Sequence, residues 1–299
     1  MIANDIAQPW SPPGRAESQP DVTEHTAAGN ATAYYMYAIA RPKVAGRTAP
    51  LHSTGIDPQS RVYTLACRDL LAIVSTVPLA EFQADVLKER LANHEWLRTR
   101  ALAHQGVLAA LLEEYTALPL KFCTLYTSES RILEMIEANG KNLTSALDRL
   151  AGATEWGVKI FCDRQRLVDW ASNWSDELQP LRTTISRMSE GASYMLRKKI
   201  ALAAQQLAES LEHSHAQAAH LCLSQAARAA VSHPAQPSDV HGQPGEMVLN
   251  GAYLVDDRDQ PRFEAELAQL QAHYTDMGFR CELTGPWPAY SFAVIEEAP

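Results

Sequence analysis

EWGVKIFCD, Glu155–Asp163, decides how the second half of this chain is read. Val158, Ile160 and Cys162 alternate with other residues, and a short run of period two is a strand with one face in a core. Downstream, the stretch from about Ser175 to Val231 is rich in Ala, Leu and Gln and predicts long helix, interrupted around Ser189-Glu190-Gly191. His233–Glu246, HPAQPSDVHGQPGE, reads as a flexible connection, placed at 234–246. MVLNGAYLVDD, Met247–Asp257, is a strand. Phe263, Leu267, Leu270, Tyr274 and Met277 mark the inner face of a helix that Gly278 ends. FRCELTG and AYSFAVI supply a last strand or strand pair. With a short strand from Ala229–His233 the order becomes βαββαβ, the ferredoxin-like split motif.

Working towards the N-terminus, the first half is also mixed. TAYYMYAIA, Thr32–Ala40, reads as a strand, and the next twenty residues, with Pro42, Gly46, Pro50, Gly55 and Pro58, as a long loop. RVYTLACRD and LLAIVSTV predict two strands meeting near Asp69. Beyond Asn93, a helix N-cap, the residues Leu97, Ala101, His104, Leu108, Leu111 and Tyr115 form one apolar stripe. Pro119 is expected to end that helix, PLKFCTLY to be a strand, and Ser128 to cap a helix that Asn139-Gly140 breaks in two. The fold class is therefore α+β with two domains: a disordered leader at 1–31, an N-terminal α+β domain at 32–152, and a modified ferredoxin-like domain at 153–299.

Composition excludes several functions. There are 299 residues, 46% hydrophobic, enough for a substantial core in each of two domains. The net charge of −9 removes the usual electrostatic basis for nucleic-acid binding. Apolar runs are too short to span a membrane, and MIANDIAQPWSPPGRAES has neither the basic start nor the apolar stretch of a signal peptide, so a cytoplasmic location is expected. Cys67, Cys123, Cys162, Cys222 and Cys281 are scattered with no CxxC pair, which reads as small buried hydrophobes.

Catalytic and metal-binding patterns are weak. No nucleotide-binding glycine loop, zinc-protease helix motif or nucleophile elbow occurs. His213 and His220 share a helix face two turns apart, with His215 turned away, and a solvated face is expected for them. His104 sits in an apolar stripe: an inward imidazole bonded to a backbone carbonyl is the plain expectation, a pH-sensitive or partner-contacting residue the alternative. No enzyme chemistry, cofactor or metal is expected.

Several strings in order are more specific. LLAIVSTVPLAEF, WLRTRALAHQGVL, LPLKFCTLY, EWGVKIF, GASYMLRKK, LNGAYLVDD and LTGPWPAYSF, spanning about Tyr34 to Val294, resemble the gas vesicle protein GvpF/GvpL family. The resemblance implies a two-domain α+β protein with a modified ferredoxin-like second domain. It also implies a non-enzymatic assembly factor or minor structural component in the cytoplasm and gas vesicle. Its implied partners are the hydrophobic shell protein GvpA and other accessory gas vesicle proteins. Lys121 and Cys123 stand where the family commonly has Arg and Gly, and Gln105 where a glutamate is usual.

Two clusters are candidate partner contacts. In GPWPAY, Pro286 and Pro288 stiffen Gly285, Trp287 and Tyr290, and the segment is expected to interrupt the last strand as a bulge or corner. Either Trp287 folds back as a lid on the helix carrying Phe263 and Tyr274, or Trp287 and Tyr290 form part of a partner surface. In GASYMLRKK, Tyr194, Arg197, Lys198 and Lys199 form a basic, aromatic patch that is either solvated or paired with the acidic C-terminal stretch. A small-ligand sensor of the same fold is the alternative function.

Overall fold

The computed structural model describes residues 31–44, 46, 51 and 53–293, without the side chain of residue 190. The expected leader at 1–31 lies almost wholly outside the described residues. Contacts between Cα atoms divide the chain into two compact units, one running to Glu155 and resuming at Trp287, the other Trp156–Pro286. The tail from Trp287 thus groups with the first unit, where the sequence reading had assigned it to the second.

The first unit is built on a sheet in the order β2-β3-β1-β4, with β5 on β1. Its strands are β1 (Thr32–Pro42), β2 (Tyr63–Cys67), β3 (Leu70–Pro78), β4 (Tyr115–Pro119) and β5 (Leu125–Tyr126). β1 is antiparallel to β3, β4 and β5, and β2 to β3. The register of β1 slips between Met36 and Ala38. This bulge changes which residues face the core: Ala33, Tyr35 and Tyr37 before it, Ala38 and Ala40 after it, share one buried cluster. Helices α1 (Leu79–Phe82), α2 (Ala84–Leu91) and α3 (His94–Leu111) lie on that face, where Val107, Leu108 and Leu111 join the cluster. Asn93 caps α3 by accepting the N–H groups of Glu95 and Trp96. α4 (Glu129–Leu150) packs on β1, β2 and β4 through a separate set of buried residues, including Ile132, Ile136, Leu143 and Leu147. With helices on both faces, β1 is buried from Tyr35 to Ala40, which explains its unbroken apolar sequence.

The second unit carries a sheet in the order β7-β8-β6-β9: β6 (Ala153–Cys162), β7 (Ala229–His233), β8 (Glu246–Asp256) and β9 (Phe279–Trp287). Val158, Ile160 and Cys162 of β6 enter one core with Leu249, Tyr253 and Val255 of β8. Onto it pack the C-terminal half of α7 (Glu190–Gln225) and α9 (Gln260–Tyr274), through Ala216, Ala219, Leu223, Phe263 and Leu267. The N-terminal half of α7 leaves this core. Ile200 and Ala204 pack instead on a small helical cluster with Ala171 of α5 (Arg164–Trp174), Leu178, and Leu181 of α6 (Gln179–Ile185). A 3₁₀ turn at Thr275–Met277 ends at Gly278, whose φ of 94° suits a residue without Cβ; its carbonyl accepts the N–H of Asp163.

Six local readings are corrected. α3 ends at Leu111, and Tyr115–Pro119 is strand: all five residues are buried, and sheet pairing overrides the continuing helical period. PLKFCTLY keeps only Leu125–Tyr126 as strand, the remainder being a turn with Cys123 at φ 66°. Asn139-Gly140 does not break α4; Asn139 bonds back to the Met135 carbonyl, and no contact crowds Gly140. α5 was missed: Asp163 ends a strand and also caps a helix by accepting the N–H of Arg166. β9 reaches Trp287, with Gly285 at φ 122° and a cis Gly285-Pro286 bond marking the expected corner inside it, while Tyr290–Phe292 is a 3₁₀ turn where AYSFAVI had suggested strand. The 234–246 connection contains a short helix, α8 (Ser238–His241).

Candidate partner-docking site

The candidate residues fall in two places, one in each unit. In the first unit His104 is buried among Tyr35, Tyr37 and Phe122, stacked on Tyr37 at a ring distance of 5.6 Å. Its partner is a phenol where a carbonyl had been expected. Tyr35 Oη accepts the N–H of Cys123 at 3.0 Å and is hydrogen-bonded to His104 Nδ1 at 2.9 Å. Burial pushes the imidazole's pKa down to about 3, which favours the neutral ring. His104 Nε2 has no hydrogen-bond partner among the described residues. His104 is 4% exposed.

The tail of the same unit separates two residues that the sequence had grouped. Tyr290 packs against the first unit's core and donates from Oη to Gln105 Oε1 at 3.3 Å. Ser291 donates from both N and Oγ, each at 2.8 Å, to the carboxyl of Glu155, which is 6% exposed. Burial pushes that carboxyl up to about 7, against the two Ser291 bonds, which favour its ionised form. Trp287, by contrast, is 40% exposed. Gly285, Pro286 and Pro288 lead into this tail, and the Pro288 carbonyl accepts the Tyr290 N–H at 2.7 Å.

In the second unit Tyr194, Arg197 and Lys199 lie on the first turns of α7, all exposed. Of the two readings of this patch the solvated one agrees with the geometry: neither Arg197 nor Lys198 makes an ion pair among the described residues, and Asp256, Asp259 and Glu282 of the C-terminal stretch engage Arg228, Arg258 and Arg280. Met195 and Leu202 stand beside them, 71% and 57% exposed, and the sequence reading had passed over both. The signal existed in their seven-residue spacing. It was hidden because an Ala-rich helix carries apolar residues on every face.

Other features are structural. His213 is exposed as expected, whereas His220 is half-buried, its Nδ1 2.8 Å from Tyr253 Oη, and His215, turned away from both, packs on Tyr274 and Phe279. Burial pushes the thiols of Cys123 and Cys162 up to about 12 and Cys281 up to about 11, away from thiolate chemistry. No group of three or more metal-ligating side chains converges among the described residues. A cavity of about 370 Å³ opens between Ser53–Pro58 and α3. Its wall includes Arg100, whose guanidinium is engaged by the Ile56 carbonyl and by Glu81 at 3.7 Å. Among the described residues no helix is long and apolar enough to cross a membrane.

Residues 33–294 match the family model described as gas vesicle synthesis protein GvpL/GvpF. The chain belongs to the GvpL/GvpF family. Gas vesicle protein L of Streptomyces sp. is 32% identical over 88% of this chain and 93% of the relative. Gas vesicle protein L1 of Halobacterium salinarum is 24% identical over 94% of this chain and 96% of its own. Crystal structures of GvpF from Anabaena and from Microcystis aeruginosa share the fold, with TM-scores of 0.61 and 0.58 at 18% and 19% identity. They cover 89% and 88% of this chain and 98% and 99% of theirs. Cys123 takes φ 66°, a left-handed backbone that a glycine adopts without strain.

Proposed function

We propose that this GvpL/GvpF protein is a non-enzymatic assembly factor or minor structural component of gas vesicles. It acts in the cytoplasm and at the vesicle by binding the hydrophobic shell protein GvpA and other accessory gas vesicle proteins. The observation that carries this reading is the family match across residues 33–294, supported by relatives named as gas vesicle proteins over nearly their whole length. The physics is simple: a shell subunit with an apolar face aggregates in water unless a partner covers that face and later releases it. Trp287 and the Tyr194–Lys199 turns are the contact candidates, because both leave aromatic side chains exposed.

The same reading treats the two compact units as two domains and the second as a ferredoxin-like module. The succession β6, α7, β7, β8, α9, β9 and the sheet order β7-β8-β6-β9 support it, with α5 and α6 as an insertion before α7. The test is genetic. Deleting the chain from a vesicle-forming host should abolish or sharply reduce vesicles, measured as light scattering that collapses under pressure, and restoring it should recover them. Normal vesicle numbers without it would overturn the proposal.

A further inference from the structure

We propose that the N-terminal half of α7 is a docking face for an acidic, amphipathic helix of a partner protein. This rests on the docking role proposed above and adds the place and the chemistry.

The first observation is where exposed apolar side chains collect. Of the ten large hydrophobic side chains that stand exposed among the described residues, Trp174, Met188, Tyr194, Met195 and Leu202 fall within one stretch of α5–α7. That stretch is the part of the second unit that leaves the sheet core and rests on its own small cluster. A helix extension that contributes nothing to the main core, yet is propped in place by two further helices, is built to present its outer side.

The second observation is phase. Ser193, Ile200 and Ala204 form the buried side of this half of α7. At 100° per residue, Met195 and Leu202 stand nearly opposite, about two turns and roughly 10 Å apart, with Lys198 and Lys199 flanking the line between them. Solvated helices place polar residues there. Two apolar side chains at this spacing make the ridge that a second helix packs along at an interaxial distance of about 8–10 Å.

The third observation is charge. From Gly191 to Ala208 the sequence has three cations, Arg197, Lys198 and Lys199, and no carboxylate, in a chain of net charge −9. Elsewhere in the unit Arg164, Arg228 and Arg280 find carboxylates at home. The α7 trio has no ion pair among the described residues, so the carboxylates that complement it belong to the occupant. An anionic membrane is a poorer fit, because Glu209 continues the same stripe one further pair of turns along.

The test uses the full chain and two synthetic helical peptides of about 20 residues. Both carry leucine at seven-residue spacing; one has glutamates beside the leucines and the other lysines. Fluorescence anisotropy should show the glutamate peptide binding at least ten-fold tighter, with the advantage shrinking as salt rises. Lys198→Glu/Lys199→Glu should reverse the preference, and Met195→Ser/Leu202→Ser should weaken both peptides at least ten-fold. All substituted residues are exposed, and an unchanged melting temperature confirms folding. Equal affinity for both peptides, no binding, or indifference to the Met195/Leu202 pair would overturn the proposal. So would sedimentation showing a dimer of this chain that Met195→Ser/Leu202→Ser dissolves, since the occupant would then be a second copy. Normal vesicle formation by Met195→Ser/Leu202→Ser would sink this face alone and leave the assembly role standing; only loss of the whole chain tests the latter.

Discussion

Glu155 and Ser291 are separated by 136 residues, yet the hydroxyl and the backbone N–H of Ser291 both close on the Glu155 carboxyl at 2.8 Å. This clasp ties the returning tail to the start of β6 within the first unit. It has a defined pH signature. The carboxyl's folded pKa, about 7, lies above its ordinary 4.5, so the fold favours the protonated form. Its contribution is full below about pH 4.5 and lost as pH rises through about 7. Glu155→Gln, neutral throughout, should therefore gain stability relative to the parent between pH 5 and 8, on the order of 3 kcal/mol at the upper end. Urea unfolding of both proteins across that range checks it; parallel curves would contradict it.

His104 works in the opposite sense. Its folded pKa, about 3, lies below the ordinary 6.5, so its contribution is present above 6.5 and declines as pH falls towards 3. The imidazole should show no titration by NMR between pH 5 and 8. An inflection near 6.5 would mean that the ring is open to water. His104→Ala should lower stability by about 2–4 kcal/mol, because it leaves a cavity and strips the buried Tyr35 hydroxyl of a hydrogen-bond partner.

Arg68 occupies the two-residue turn between β2 and β3 at φ 57°, exposed, with only a 3.4 Å surface pairing to Glu137. A left-handed backbone costs an ordinary side chain about 1 kcal/mol, while an exposed ion pair contributes less. Arg68→Asn should raise stability by about 0.5–1 kcal/mol in urea unfolding. A loss of stability would show that the pairing matters more than the turn.

The tail should separate into a folding residue and a surface residue. Tyr290→Ala removes a ring packed on the first core and should destabilise by about 2–4 kcal/mol. Trp287→Ala, at a half-exposed position, should change stability by less than about 1 kcal/mol while reducing retention of the shell protein. Equal destabilisation by both would assign Trp287 to the fold.

Much of this was legible in the sequence, for physical reasons that can be named. Strands with a clear alternation (Val158, Ile160, Cys162) and helices with a polar cap (Asn93, Ser128) were readable because the local signal and the tertiary demand agree. Tyr115–Pro119 was misread because a helical period ran on into residues that the sheet buries on every side. The bulge at Met36–Ala38 leaves no mark in a strand buried on both faces. The Ser291–Glu155 clasp was out of reach, since nothing local says that a tail will return to a strand so far behind it. Charge and aromaticity single out Tyr194, Arg197 and Lys199 as exposed candidates in the sequence, whereas Met195 and Leu202 become distinct only once the buried side of α7 is fixed.

The account stands or falls on docking. The most direct measurement is retention of purified shell protein GvpA by the immobilised full chain, at low and high salt. The account predicts specific retention, reduced by Trp287→Ala or by Met195→Ser/Leu202→Ser. No retention under conditions where the chain is folded, together with normal vesicles in a strain that lacks it, would contradict it.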